Sequence, residues 1–144
     1  MLLQRLTLDL YFNRQVTLTE LKGFISTSYR VIDANDDYIT IEHPTDIGIE
    51  YNMEIYNQWY VNFIDKNYSA LKNSGLDRIN IFINVFYSGQ CNFEIFDSQS
   101  MSILSKYNVS LPISVFHLSN NELKEILSDN GYSKNRICEI FKSE

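Results

Sequence analysis

The sequence predicts an α+β fold in one domain, residues 1–144, with a mainly antiparallel sheet and helices packed on it. Three observations carry that expectation. Several stretches alternate apolar and polar residues with the period of a strand, and others repeat apolar residues at helical spacing behind clear start signals. The composition, 44% hydrophobic and 14% aromatic with only five Gly and two Pro, excludes a disordered chain. A chain of 144 residues is also long enough to bury a substantial core.

In chain order, Leu6, Leu8 and Leu10 alternate with Thr7, Asp9 and Tyr11, which predicts a first strand with one core face. Thr17 and Glu20 have the spacing of a capping box, flanked by Val16 and Leu21 as a hydrophobic staple. Leu18, Leu21 and Ile25 should form the buried stripe of that helix. Residues 29–34 and 38–42 read as strands around Asn35-Asp36-Asp37. This cluster has only half of a calcium loop, with Tyr38 where glycine is needed, and reads as a hairpin turn. Residues 47–56 alternate Ile47, Ile49, Tyr51, Met53 and Ile55 with Gly48, Glu50, Asn52 and Glu54, predicting a third strand with one wet, acidic face. Val61, Ile64, Tyr68 and Leu71 predict a helix over residues 58–73, ended by Gly75.

The fold should centre on residues 79–96, where Ile79, Ile81, Ile83 and Val85 share one face of an extended chain. A Ser88-Gly89 break and the alternating Cys91, Phe93 and Ile95 predict a central hairpin, with Cys91 buried. Asp97 then caps a short helix through Tyr107 that Asn108 closes, and residues 111–117 read as a strand. Ser119 and Glu122 form a second capping box, and Gly131 stops the helix it opens. Periodicity leaves residues 136–141 open between a strand and a helix. Cys138 is expected to be buried like Cys91.

Charge is the feature that bears on function. Residues 31–65 hold eight of the eighteen acids and none of the twelve bases, so this window stands at −8 and the remainder at +2. Asp36, Asp37, Asp46, Glu50 and Glu54 are the candidates for one acidic face, with Tyr56 or Trp59 as its apolar anchor. Such a field repels nucleic acid and steers basic proteins, and Tyr and Trp beside charge suit a protein-binding surface. The plainer reading of the same acidity is solubility, and the core is the plainer place for half of the aromatics.

Catalytic signals are few. His43 and His117 have no HExxH or paired-Cys context, so neither a metal nor a cofactor is expected. No phosphate-binding glycine loop or GxSxG elbow occurs. The chain therefore reads as a non-enzyme. The N-terminal stretch alternates and carries Asp9, unlike a signal peptide, and no apolar run approaches the roughly 18–20 residues of a membrane helix. With two cysteines and no signal, a cytoplasmic location is expected.

Residues 89–96, the helix capped by Asp97, the stretch Asn108-Val109-Ser110-Leu111-Pro112 and the strand after it resemble small bacterial immunity proteins. These are the cognate inhibitors of contact-dependent growth-inhibition and other polymorphic toxins. The likeness covers residues 76–118 and rests on pattern. It implies one-to-one binding to a toxin domain, commonly a basic nuclease, in the cytoplasm. Two other classes stay open: a small-ligand sensor with an aromatic-lined sheet, and an enzyme whose carboxylates are brought together only by folding.

Overall fold

The computed structural model describes residues 1–45 and 47–142. The elements run β1 (Leu2–Phe12), α1 (Leu18–Phe24), β2 (Arg30–Ala34), β3 (Tyr38–Glu42), β4 (Gly48–Ile49), α2 (Met53–Asn73) and β5 (Leu76–Tyr87). They continue with α3 (Ser98–Leu104), β6 (Val109–Ser110), β7 (Ile113–His117), α4 (Asn120–Asp129) and α5 (Lys134–Lys142). The result is a seven-stranded, mostly antiparallel sheet with helices packed on it, as the sequence predicts.

β1 and β5 form the middle of the sheet, paired antiparallel from Leu2↔Tyr87 to Phe12↔Leu76. Their period-two pattern puts Leu6, Leu8, Leu10, Ile79, Ile81, Ile83 and Val85 on one fully buried face. α2 covers that face with Tyr56, Tyr60, Val61, Phe63, Ile64 and Leu71, and α1 and α3 add Leu21 and Leu104. The opposite face is covered near the start of β1, where Leu3 and Ile49 pack with Leu123 and Leu127 of α4 and Ile137 and Ile140 of α5.

The helix signals are local and hold. Thr17 and Ser119 make the two reciprocal capping boxes. Asp97 caps α3 by accepting from Ser100 N at 2.7 Å. Asn108 adopts the left-handed conformation at φ 53°, ending the short helical turn after α3. Gly75, at φ +101°, turns the chain from α2 into β5. Leu18 departs from the expected stripe and is 45% exposed, whereas Leu21 and Phe24 of α1 meet the core and Ile25, just after the helix, is buried in it.

One expected strand does not form, and another is cut short. Residues 91–96 are irregular, and no hairpin follows β5. The second edge of β5 is taken instead by β6 and β7, parallel to it in register from Ile79↔Val109 to Tyr87↔His117. An antiparallel return strand has no edge left to pair with. Cys91 is accordingly only half-buried, and Cys138, on the outer side of α5, is exposed. Residues 136–141 belong to α5, which resolves the open choice as helix.

The stretch 47–56 is strand only at β4. A single turn of 3-10 helix, Glu50–Asn52, follows and leads directly into α2, with Ile49 N donating to Asn52 Oδ1 at 2.7 Å. Alternation of five apolar residues was matched by a helical spacing, Met53, Tyr56, Tyr60, Ile64, that runs on into the rest of α2 and wins by its length.

β3 and β4 share one edge of β1 but leave a gap between them, since β3 pairs with residues from Leu8 onward and β4 with Leu3 and Gln4. Leu6 lies in that gap. Tyr56 Oη accepts from Leu6 N at 2.9 Å, and Tyr60 Oη donates to the Leu6 carbonyl. Two phenols thus stand in for a missing strand, satisfying backbone groups that would otherwise be buried and unpaired.

Candidate functional site

The fold divides the acids that the sequence places together. Asp36 and Asp37 sit in the β2–β3 turn, beside the end of β1, where Gln15 Nε2 donates to Asp36 Oδ1 at 2.9 Å. Glu50 and Glu54 flank the start of α2, next to the beginning of β1. Leu3 and Tyr11, the β1 residues beside these two places, are separated by roughly 26 Å at about 3.3 Å per strand residue. One continuous face containing all of them does not form. Asp46 lies outside the described residues.

Other acids of the same window are engaged within the protein. Glu42 is buried and held by Arg5, with Nε at 3.2 Å and Nη2 at 3.1 Å, and by Arg30 through Nε at 2.7 Å and a second, shorter contact. Asp33 accepts from Ala34 N, Asn35 Nδ2 and Tyr38 Oη. Asp65 accepts from Tyr107 Oη. These carboxylates organise the fold.

Tyr56 is corrected outright as an anchor. It is 3% exposed, and its ring and hydroxyl are committed to the core and to Leu6. Burial pushes its phenol up to about 12. Trp59 is half-buried on the flank of α2, edge-on to His43 at 5.2 Å and to Tyr60 at 4.8 Å. Ile55, which the sequence reading placed on a strand, is instead 78% exposed on the helix surface next to it.

Glu50 and Glu54 do come together, on one side of a groove of about 430 Å³. The first turns of α2 form one wall with Glu50, Glu54 and Gln58, and the segment leading into α3 forms the other with Glu94 and Asp97. Asn57 Nδ2 ties the walls together by donating to the Ile95 carbonyl at 2.7 Å, and Ser100 Oγ donates to Gln58 Oε1 at 3.3 Å. No lysine or arginine lines the groove among the described residues. Hydrogen bonding from Ser100 holds the Asp97 carboxyl below the ordinary carboxylate range, so it is ionised at neutral pH.

Glu54 and Gln58 also border a shallower depression with Ile55, Trp59, His43 and Asn62. The acidic groove therefore runs on into an exposed apolar edge of α2. A wider, open depression of about 780 Å³ lies on the far side of Glu50, lined by Tyr51, Gln90 and Cys91 among others. Glu94 and Asp97 were not legible as partners of Glu50. They fall outside the base-free window, and only the irregular path of residues 91–96 brings them across from α2.

Among the described residues, no group of three or more His, Cys, Asp or Glu side chains is placed to hold a metal ion. No helix of the described residues is long and apolar enough to cross a membrane. Scans against protein-family models, curated proteins and solved structures each return no significant match.

Proposed function

We propose that the protein is a non-enzymatic inhibitor of the immunity type, which binds a basic toxin domain through the surface around the start of α2. The observation that carries this reading is the continuity of two features. A groove flanked by Glu50, Glu54, Glu94 and Asp97 and free of basic side chains opens onto exposed Ile55 and half-buried Trp59. Carboxylates beside an aromatic and an aliphatic anchor combine long-range steering of a cationic partner with an apolar contact to hold it. The resemblance of residues 76–118 to immunity proteins points the same way, since such inhibitors are small, acidic and bind one partner.

The binding surface is narrower than the base-free window. Asp36 and Asp37 act at most as distant contributors to the field, and Tyr56 serves the core. The experiment expresses the product of the adjacent coding sequence and measures its affinity for this chain at several salt concentrations. Glu50→Lys/Glu54→Lys should weaken binding at least about tenfold, and the dependence on salt should flatten. Unchanged affinity with an unchanged salt slope would remove this surface from the interface. A small-molecule sensor, the competing class, would instead bring a metabolite through purification and show no such slope.

A further inference from the structure

The two edges of the sheet are built differently. β2 forms one edge and carries devices that discourage pairing with another chain: Arg30 and Asp33 are charged, and a register shift between Val31 and Asp33 interrupts its ladder. β7, beyond β5, lies at the other edge and has neither. It reads Ile-Ser-Val-Phe-His, its pairing with β5 runs unbroken from Ile113 to His117, and no charged residue occurs between Lys106 and Glu122. The Pro112 carbonyl accepts from Ile83 N at 2.9 Å and Leu118 N donates to the Tyr87 carbonyl at 2.8 Å, so Ser114 and Phe116 between them turn their backbone groups to β5. The N–H and C=O groups of Ile113, Val115 and His117 therefore point outward, and among the described residues no strand pairs with them. The side chains along this row are apolar on both faces. Ile113 and Val115, each 51% exposed, share the face of Ile83 and Val85; Phe116, 43% exposed, lies on the other and stacks on Phe86 at 5.3 Å.

We propose that β7 pairs antiparallel with β7 of a second copy of this chain, about a two-fold axis at Val115, so that one sheet runs through a dimer. In that register Val115 meets its own counterpart and Ile113 meets the partner's His117. Each outward-facing residue is then opposite another outward-facing residue and exchanges both of its hydrogen bonds with it. The two Phe116 rings become diagonal neighbours on one face, within reach of each other, and lengthen the Phe86–Phe116 stack. Charge selects the occupant. The chain stands at −6, so two copies repel over much of their surface, and an uncharged edge lets them meet with no like charges opposed. A basic protein finds no carboxylate on this strand to attract it. One five-residue edge per copy buries less than the roughly 800 Å² per partner of a standard interface, which sets the expected Kd at about 1–100 µM.

The test uses the full chain. Sedimentation from about 1 to 500 µM should show a reversible monomer–dimer equilibrium. Val115→Lys sets like charges directly opposite at the axis and should weaken dimerisation at least about tenfold. Position 115 is exposed, so the melting temperature of the dilute monomer should not change. Hydrogen exchange at the Ile113, Val115 and His117 amides should slow as concentration rises, while Ser114 and Phe116 stay protected throughout. Disulfide trapping in a Cys91→Ser/Cys138→Ser background reads the register. Val115→Cys should cross-link readily, since facing residues of such a pair lie about 5.5 Å apart at Cα. Ile113→Cys should not, because it sits about 14 Å along the strand from its own counterpart. A chain that stays monomeric at the highest concentration overturns the proposal, as does a dimer that Val115→Lys leaves intact or that cross-links equally at both positions. Protection of the outward amides only when another protein is added assigns the edge to a foreign strand and also overturns it.

Discussion

The paired phenols over Leu6 allow a prediction whose size follows from the structure. In Tyr60→Phe the Leu6 carbonyl loses its donor and His43 N loses the acceptor it reaches at 3.1 Å; Tyr56 also loses a neighbour at 3.3 Å. The carbonyl is deeply buried and the His43 N–H partly so. Groups left unsatisfied in this way cost about 1–3 kcal/mol each, and together about 2–4 kcal/mol here. At roughly 3 °C per kcal/mol for a chain of this size, the melting temperature should fall by about 6–12 °C. Tyr56→Phe orphans only Leu6 N–H and should cost about half as much, while hydrogen exchange at the Leu6 amide accelerates. The double variant should fall short of the sum, because the two hydroxyls are in contact. Calorimetry at neutral pH measures all three. Melting temperatures within 1 °C of the parent would show that the gap between β3 and β4 is satisfied in some other way. The same pair predicts an alkaline limit. Burial raises the Tyr56 phenol to about 12 and Tyr60 still further, whereas unfolded phenols ionise near pH 10. Above about pH 10 the unfolded chain loses protons that the folded chain keeps, so stability is intact below that pH and declines above it. The slope is about 1.4 kcal/mol per pH unit for each phenol, and the double variant should lose the share due to Tyr56 and Tyr60, keeping only what Tyr29, Tyr38 and Tyr107, also raised, contribute.

Three further variants test other buried polar groups. Gln4 is fully buried on β1, and neither amide atom has a hydrogen-bond partner in the protein, so Gln4→Met should stabilise by about 1–3 kcal/mol; a lower melting temperature would refute this. For Glu42, the order of effects is diagnostic. Arg5→Ala/Arg30→Ala strands a buried carboxylate and should cost about 3–5 kcal/mol, whereas Glu42→Gln leaves two half-exposed arginines that water can hydrate and should cost less. Chemical denaturation of both variants checks the order, and the reverse order would contradict the burial of Glu42.

What could be read in advance divides by the range of the interaction. Helix starts at Thr17, Asp97 and Ser119, and stops at Gly75, Asn108 and Gly131, depend on groups within four residues, and each is visible in sequence. The buried faces of β1 and β5 were equally visible, because alternation is a property of one strand. Residues 91–96 were misread because their pattern suits a strand, yet pairing needs a free edge. Whether β5 has one depends on β7, nearly thirty residues later. Residues 47–56 carry both periods at once, and the longer helix decided between them by burying Tyr56 and Tyr60 in the gap beside Leu6.

The candidate site divides the same way. Composition alone established an acidic segment without lysine or arginine, and Glu50 and Glu54 within it. Only the tertiary structure committed Glu42 to Arg5 and Arg30, sent Asp36 and Asp37 to the far end of the sheet, and brought Glu94 and Asn57 beside Glu50. Charge is summed along a chain, but a binding surface is summed across space. The packing of α2 against the segment before α3 converts the one into the other.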